Sequence, residues 1–329
     1  LLLTAVFVVA IDQLLQSKKR KIKLGLLHIS MEQLVKKRAA FGNWQIMRAI
    51  NFFWGGMAYV IVLIFGIYLV FLIFLFLFQD NLLYHPDKTT PDPVKSGLPE
   101  MQEVMTVSED GHKLRSWYTE GKAESPIIVF FHGNAGNIGS RSEKVRFFLD
   151  SGFGILLVGY RGYGGNPGNP SEEGFYMDAR ASLSTLQDMN KETKPVVLYG
   201  ESLGTAVATR MAEEFASSGT PVAALILEAP FNSVLAAASY HYPFVPVKWL
   251  LKDHFDQSAR IARILAPLLI LHGNLDKTVP ISLGKKLFEK ALMPKKGKWY
   301  KEAGHNDLYN FGAGELCIDF IEEVVPLKF

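Results

Sequence analysis

Three side chains of the kinds that together hydrolyse acyl bonds occur in the C-terminal half of the chain: Ser202, Asp276 and His305. A serine hydroxyl is a weak nucleophile at neutral pH, so a base must take its proton and a third group must orient that base. Ser202 is the centre of a Gly-x-Ser-x-Gly segment, residues 200–204, between the apolar run Val196–Tyr199 and a helix-compatible segment. This order is typical of a nucleophile elbow, in which a strand turns sharply into a helix. The alternative is a tight turn with an inert serine.

The chain has eight histidines, and one of them could be the base that takes the proton of Ser202. His305 lies late in the chain, in a loop preceded by Gly304 and following the last strand pattern at 298–301, and it is our candidate base. His132 and His272 directly precede glycines at strand ends. For those two we expect a structural role, in which a ring hydrogen bond holds a loop.

Two carboxyl groups compete for the role of the acid. Asp276 is favoured because its polar loop can reach a late histidine, whereas Glu228 closes the preceding strand, where backbone N–H groups can satisfy it. An oxyanion hole needs two backbone N–H donors. We expect one from Leu203, directly after the nucleophile, and the other from Asn134, with Ala135 as the alternative.

Apolar runs alternate with helical patterns from residue 126 onward, which predicts an α/β fold with a mostly parallel sheet and helices on both faces. Half-buried strands around an Asp-Gly turn are predicted at 103–107 and 114–118. Ligands of such sheets bind outside the carboxyl ends of the strands, where the candidate residues lie. The predicted strands are 126–131, 154–158, 196–199, 224–228 and 268–271, and the predicted helices are 142–149, 172–189, 205–215 and 282–291.

Composition narrows the class of protein. The 329 residues suffice for one large α/β domain with an appendage, and a net charge of +3 does not favour nucleic-acid binding. The single cysteine, Cys317, excludes an intrachain disulfide. No His, Cys or Asp cluster has metal-ligand spacing, and no phosphate-binding or dinucleotide glycine motif occurs. We therefore expect no cofactor and no metal.

Residues 49–79 carry no charged side chain, and 59–78 are apolar on every face. A bilayer-spanning helix needs roughly 20 such residues, so the segment predicts a transmembrane helix. The alternatives are a buried core helix and a cleaved signal peptide. A signal peptide would have a shorter apolar region, roughly 7–15 residues, followed by a small-residue cleavage site. The sequence continues as Gln79-Asp80-Asn81 instead, which favours an uncleaved anchor.

Basic residues are concentrated before this apolar segment, and only Lys88 and Lys95 follow it closely. The positive-inside rule then predicts a cytoplasmic N-terminus and a catalytic domain on the extracytoplasmic side. The alternative is a basic run that is simply a solvated face. The preceding basic residues are Lys18, Lys19, Arg20, Lys21, Lys23, Lys36, Lys37, Arg38 and Arg48.

The predicted domain order begins with a basic N-terminal segment to which we assign no function. We expect this segment to be over-extended or fragmentary, because the sequence starts without Met and Met47 is a plausible start. In the C-terminal domain, the aromatic and proline-interrupted stretch 240–251 is either a short lid that lines an acyl pocket or an ordinarily packed connecting helix. The predicted parts are the N-terminal segment 1–46, the anchor 49–79, a linker 80–100, and a catalytic domain 101–329 with a short cap at about 232–262.

Six motifs are informative as a set: residues 132–137 (HGNAGN), 159–164 (GYRGYG), 200–204 (GESLG), 228–231 (EAPF), 272–276 (HGNLD) and 304–305 (GH). Together they resemble the α/β-hydrolase superfamily, whose serine, acid and histidine follow one another in this chain order. The chain is most similar to the membrane-anchored alpha/beta-hydrolase domain-containing branch, which includes protein depalmitoylases. The resemblance runs from about Asp80 to the end of the sequence.

The resemblance implies a serine hydrolase that cleaves carboxylic ester or thioester bonds through an acyl-enzyme intermediate, without a cofactor. The implied substrates are acyl esters or thioesters, including lipids and acylated proteins, and the implied membrane contact is a single span. Two alternatives stay open at this point: a serine peptidase or amidase with the same three residues, and a non-catalytic, membrane-tethered binding protein.

Overall fold

The computed structural model describes residues 31–190 and 193–325. The expectations for residues 1–30, which include most of the basic N-terminal segment, lie outside the described residues. The chain divides into two compact units, the first ending at Val70 and the second beginning at Phe71.

The first described element is a long helix, α1, at Met31–Leu83. This helix extends beyond the predicted span 49–79 at both ends. Helix-forming residues precede the apolar run, and the helix continues for four residues after the run ends at Gln79. It ends shortly before Pro86, since the residue before a proline disfavours helical backbone. Among the described residues, α1 is the one helix long and apolar enough to cross a membrane, and its most apolar 18-residue window has no buried residue.

The main sheet has eight strands in the order β10-β9-β8-β7-β4-β6-β3-β2. Strands β2 and β3 form the expected antiparallel hairpin, and β3 is antiparallel to β6. The remaining neighbours are parallel, which confirms the predicted mostly parallel sheet. The eight strands are β2 (Gln102–Val107), β3 (Lys113–Thr119), β4 (Ile127–Phe131), β6 (Gly154–Val158), β7 (Val196–Glu201), β8 (Ala224–Glu228), β9 (Leu268–Gly273) and β10 (Lys295–Tyr300).

Helices cover both faces of this sheet, as predicted, and each face has its own buried apolar cluster. Alternate residues of β4 enter the two clusters, because successive side chains of a strand lie on opposite faces. Side chains from α3, α4 and α7 enter one cluster, and side chains from α2 and α8 enter the other. The helices are α2 (Ser142–Asp150), α3 (Glu172–Met189), α4 (Gly204–Ser217), α5 (Val234–His241), α6 (Val247–Leu250), α7 (Ile281–Lys290) and α8 (Ala313–Val324).

Two features were not predicted from the sequence. The C-terminal helix α8 packs over the sheet, and a two-stranded sheet joins β1 (His85–Pro86) to β5 (Ala135–Gly136) in parallel. This small sheet attaches the segment directly after α1 to the loop that follows β4. The loops after β4, β7 and β9 leave the same edge of the main sheet, because these strands are parallel.

Candidate active site

The turn between β7 and α4 holds Ser202 in left-handed backbone with φ of 51°. This region is costly for a residue with a side chain and persists where surrounding contacts enforce it. Here the Ser202 N–H donates to the Glu228 carbonyl at 2.8 Å, and the Ser202 carbonyl accepts from the Thr205 N–H at 3.0 Å. A strand, a strained serine and a helix therefore follow one another, as the sequence pattern predicted.

The glycines on either side of Ser202 are required by close packing. A Cβ at Gly200 would lie 2.5 Å from the Thr205 Cα, where the new helix starts. A Cβ at Gly204 would overlap the carbonyl oxygen of Phe131, at the end of β4. The Gly-x-Ser-x-Gly spacing thus lets the elbow rest directly against the central strand.

In the structure, the side chains of Ser202, His305 and Asp276 are connected by two successive hydrogen-bond contacts. The Ser202 Oγ lies 3.0 Å from the His305 Nε2, and the His305 Nδ1 lies 2.6 Å from an Asp276 carboxylate oxygen. His305 stands in the loop after β10, and Asp276 stands in the loop after β9. In this arrangement Nδ1–H donates to the carboxylate, which leaves Nε2 free to accept the serine proton.

The Asp276 carboxylate is surrounded by donors. One oxygen accepts from the backbone N–H groups of Thr278 and Val279 at 2.9 and 2.8 Å. The other lies 2.6 Å from the His305 Nδ1 and 3.2 Å from the His272 Nε2. Burial alone would raise the pKa of Asp276, but the hydrogen bonds from His272 and His305 outweigh it and hold the pKa well below its usual range. Asp276 is therefore ionised at neutral pH.

The sequence interpretation of His272 was incomplete. The ring does hold a loop, because its Nε2 also lies 2.9 Å from the Val279 carbonyl oxygen. Its second contact, to Asp276, was missed, although the spacing of four residues between His272 and Asp276 was visible. His132 has the expected structural role: its Nδ1 lies 2.8 Å from the Gly133 carbonyl, and burial lowers its pKa to about 3.

Glu228, the alternative acid, is engaged elsewhere. Its carboxylate accepts from the Lys144 Nζ at 2.7 Å and from the Tyr199 hydroxyl at 2.5 Å, and within the described residues it makes no hydrogen bond to His305. The geometry therefore favours Asp276 as the partner of the histidine.

The loop after β4 lies beside the nucleophile, since a Cβ at Gly133 would come within 3.3 Å of the Ser202 Cβ. The next residue, Asn134, is fixed by its side chain, which donates to the Leu83 carbonyl, and by its own carbonyl, which accepts from the Tyr163 hydroxyl at 2.8 Å. Across residues 31–190 and 193–325, the backbone N–H groups of Asn134 and Leu203 form no hydrogen bond. Both are thus available to a substrate oxygen.

Four charged side chains form a buried ion cluster next to the elbow: Arg141, Lys144, Glu201 and Glu228. Lys144 contacts Glu201 at 3.2 Å as well as Glu228, and Arg141 donates to Glu201 at 2.9 Å. Burial would raise the pKa of Glu201, but Lys144 and Arg141 lower it below its ordinary value. The cluster therefore pairs two basic side chains with two acidic ones.

Arg141 also joins the elbow to the loop after β4. Its Nη1 donates to the Ala135 carbonyl at 2.6 Å, while its Nε holds Glu201, the residue before Ser202. The two segments that carry the predicted oxyanion donors are thereby tied to one guanidinium. Arg161, in the loop after β6, pairs with Asp178 and Asp110 and braces that loop.

The cap consists of α5 and α6 and the turns around them, and its aromatic side chains are largely exposed. Tyr240, Tyr242, Phe244 and Trp249 are 62%, 55%, 88% and 83% exposed, so they neither line an enclosed pocket nor pack in the core. We call these four side chains the cap aromatic edge. The buried contacts of this stretch come from Val247 instead. Prolines at 243 and 246 interrupt the helix between α5 and α6, which is why a regular buried face does not form.

No group of three or more His, Cys, Asp or Glu side chains that could hold a metal ion occurs in the part of the chain that the structure describes. The chemistry of the site is thus that of a hydroxyl, an imidazole, a carboxylate and two backbone amides.

Comparison with known proteins identifies the family of the chain. The profile of the "alpha/beta hydrolase fold" family matches residues 126–253. The protein Rv2307c of Mycobacterium tuberculosis is 37% identical over 233 residues, which are 70% of this chain and 81% of that protein. The chain belongs to the α/β-hydrolase superfamily. As a member of it, the chain is an enzyme of the serine hydrolase type.

Two further relatives extend the comparison. Lysophosphatidylserine lipase ABHD12 of Rattus norvegicus is 34% identical over 228 residues, 62% of this chain and 57% of that protein, so the chain spans little more than half its length. The Pyrococcus furiosus esterase Pf2001 superposes with a TM-score of 0.59 at 17% identity, over 74% of this chain and 98% of that one. The esterase likeness concerns the fold alone.

Proposed function

We propose that the chain is a membrane-anchored serine hydrolase that cleaves carboxylic ester or thioester bonds through Ser202, His305 and Asp276. The observation that carries the proposal is the continuous line of contacts from the Ser202 Oγ to His305 at 3.0 Å and from His305 to Asp276 at 2.6 Å. The strained backbone of Ser202 supports it, because such strain is kept where the surrounding structure enforces it and is common at catalytic sites.

In the first half of the reaction, the Ser202 Oγ attacks the acyl carbonyl carbon while the His305 Nε2 takes the serine proton. Asp276 stabilises the imidazolium that forms. The oxyanion of the tetrahedral intermediate is held by the N–H groups of Leu203 and Asn134. The bond to the alcohol or thiol then breaks, and His305 donates its proton to this leaving group. The acyl group stays on Ser202.

In the second half, a water molecule takes the place of the leaving group. His305 accepts a proton from the water as its oxygen attacks the acyl carbon, and the same two amides hold the second oxyanion. The bond to the Ser202 Oγ breaks, the serine recovers its proton from His305, and the carboxylic acid leaves. The sequence of steps needs no cofactor.

Of the expected substrates, acylated lipids and acylated proteins, we favour lipids. The supporting observation is the relationship to ABHD12, which is named a lysophosphatidylserine lipase. A thioester of an acylated protein is the second candidate, since the same three residues would cleave it.

We assign residues 49–79 to a single membrane span, 80–100 to a linker and 101–329 to the catalytic domain, with the cap at 232–262. The support is the apolar, unburied window of α1 and the basic residues before it. Because transfer of these charges across a bilayer is costly, the N-terminus is proposed to be cytoplasmic and the catalytic domain extracytoplasmic. With reporters fused after Phe329, alkaline phosphatase should be active and green fluorescent protein, exported unfolded, should be dark. A bright fluorescent fusion would reverse the orientation.

The activity is tested with the full chain in detergent and a panel of esters, thioesters and matched amides of increasing acyl chain length. Ester and thioester hydrolysis that is lost in Ser202→Ala, with little amide cleavage, is the expected result. A preference for the amides would make the chain a peptidase or amidase. Hydrolysis that persists in Ser202→Ala would contradict the proposed nucleophile.

A further inference from the structure

Gln79, in the last turns of α1, binds the cap through both ends of its side-chain amide. The Gln79 Nε2 donates to the Leu250 carbonyl at 3.0 Å, and the Gln79 Oε1 accepts from the Lys252 N–H at 2.9 Å. The Lys252 ammonium lies 5.2 Å from the centre of the Phe76 ring and 3.8 Å from Asp80. The backbone of residues 250–252 is therefore held at the level where the apolar run of α1 changes to Gln79-Asp80-Asn81.

The same end of α1 contacts the loop after β4, which carries Asn134. The Leu83 carbonyl accepts from the side chain of Asn134, whose backbone N–H is a proposed oxyanion donor. The Tyr84 hydroxyl donates to Asp253 at the base of the cap, at 2.6 Å. On the other side of the cap, the His241 Nε2 at the end of α5 lies 2.9 Å from the carbonyl of Thr278, in the loop of Asp276. The cap thus bridges the end of α1 and the acid loop.

Gln79 binds the carbonyl of Leu250, and Trp249 is the residue before Leu250. One member of the cap aromatic edge is therefore next in sequence to the residue that contacts α1. On the helix itself, Leu77 and Leu82 are also exposed, at 62% and 52%. Both the helix end and the cap therefore present apolar side chains to the surroundings. Lys248 and Lys252 lie beside the edge and are exposed.

We propose that the cap aromatic edge is a second membrane contact, seated in the headgroup region of the bilayer that α1 spans. This inference rests on the anchor in the proposed function. Trp and Tyr rings prefer the headgroup level because they are apolar with one polar group, and lysines there place their stems along apolar surface and their ammonium groups in water. The edge contains such rings, and Lys248 and Lys252 lie beside it.

A bilayer is a better occupant than a second copy of the chain because of where the edge lies. Gln79 fixes the edge beside the polar end of an apolar helix, which is the depth of the membrane–water interface for any helix that spans. Two attachment points, the span and the edge, would also fix which side of the catalytic domain faces the bilayer. A lipid ester whose carbonyl lies at headgroup level would then meet Ser202 without leaving the membrane surface.

The test uses the full chain and thiol labelling. The one native cysteine, Cys317, is fully buried, so a thiol-reactive fluorophore attaches selectively to an introduced cysteine. The probe is an environment-sensitive dye on Trp249→Cys, in phosphatidylcholine vesicles with and without lipids that carry a nitroxide quencher near the headgroup. The matched control is Met293→Cys, which replaces another apolar side chain, 75% exposed, between α7 and the start of β10 at the opposite edge of the sheet.

We expect a blue shift and strong quenching of the dye at position 249, and neither at position 293. Equal, unquenched signals at the two positions would overturn the inference. A blue shift without quenching that grows with protein concentration would also overturn it and would indicate a second copy on the edge.

A third label separates this inference from the anchor on which it rests. A dye on Ile64→Cys, in the centre of the apolar run, should be quenched by lipids with a nitroxide deep in the acyl chain. Quenching at 64 but not at 249 overturns the second contact alone, whereas quenching at neither position overturns the span as well. Quenching at 249 alone would support the edge and refute the span. Labelling of Ser202 by a fluorophosphonate in each variant reports separately on the folded hydrolase site.

Discussion

The buried ion cluster next to Ser202 and the cap aromatic edge are two regions of similar size with opposite construction. In the cluster, charged side chains are removed from water and contact one another, as in Glu228, which is fully buried against Lys144 at 2.7 Å. In the edge, apolar side chains face the surroundings, as in Trp249, which is 83% exposed. Burial is unfavourable for an unpaired charged side chain, and contact with water is unfavourable for an apolar one. Each region therefore needs a partner that stabilises it.

The difference between the two regions concerns where that stabilisation comes from. The charges of the cluster are satisfied inside the chain, which ties the elbow to the loop after β4 through Arg141. The side chains of the edge are largely exposed, and their proposed partner is the bilayer. We infer that the first region fixes the positions of the reacting groups, whereas the second determines which side of the catalytic domain meets the bilayer. Substitutions in the two regions should therefore separate catalysis and stability from membrane contact.

The largest effect is expected at Asp276, the proposed acid, which contacts His305 at 2.6 Å. Asp276→Asn should lower kcat by about 10⁴, as the loss of an acid in such a triad does, because the amide can hold the imidazole in the wrong tautomer. Glu228→Gln, which changes the alternative acid within the cluster, should cost far less. Both are measured as ester turnover per folded molecule. If the Glu228 variant were the more damaged, Glu228 would be the acid and the loops after β8 and β9 would exchange roles.

The next effect is on stability. Arg141→Met leaves Glu201 buried with Lys144 as its one remaining cation, and breaking a buried pair typically costs about 3–5 kcal/mol in the free energy of unfolding. The loss of unfolding free energy is measured by denaturant unfolding of the full chain in detergent. The double variant Arg141→Met with Glu201→Gln removes both charges and should recover part of the loss. A single variant as stable as the wild type would show that the cluster does not brace the elbow.

The pH dependence of this stability has a definite sign. Because the folded-state pKa of Glu201 is below its ordinary value, its contribution is present above that ordinary pKa and is lost as the pH falls through the folded value. The difference in unfolding free energy between the wild type and Glu201→Gln should therefore be larger at neutral pH than in acid. A difference independent of pH would contradict the ionised state of Glu201.

The smallest effect is expected in the edge. Trp249→Ser should change the unfolding free energy in detergent by no more than about 0.5 kcal/mol, as is usual for exposed positions. The matched control lies two residues earlier: Val247→Ala, in the buried side of the same short helix, should cost about 1–2 kcal/mol. If Trp249→Ser were the more destabilising of the two, the tryptophan would be part of the packed cap and the comparison would fail.

The parts of the fold that are buried on both faces could be predicted closely from the sequence. Strands such as β6 read as continuous apolar runs, and α3 has the predicted bounds because Ser171 caps its first turn. The grouping of Ser202, His305 and Asp276 could be predicted from the sequence for a related reason. Each residue follows a strand pattern, and parallel strands bring the loops at their carboxyl ends together.

The remaining features depend on contacts between residues far apart in the sequence. The pairing of Arg141 with Glu201 joins positions 60 residues apart, so no local sequence pattern predicts it. The two-residue strands β1 and β5 are too short to show a periodicity. The outward aromatic residues of the cap could not be distinguished from core residues, because composition alone does not tell which side of an irregular segment is buried.

The central claim, that Ser202 is the activated nucleophile of a serine hydrolase, is tested most directly with a fluorophosphonate probe on the full chain. Such a probe forms a covalent bond with a serine oxygen that a neighbouring base has activated. We predict labelling of the wild type, localised to Ser202 by peptide mass spectrometry, and no labelling of Ser202→Ala. Equal labelling of the two proteins, or a modified peptide that lacks Ser202, would contradict the account.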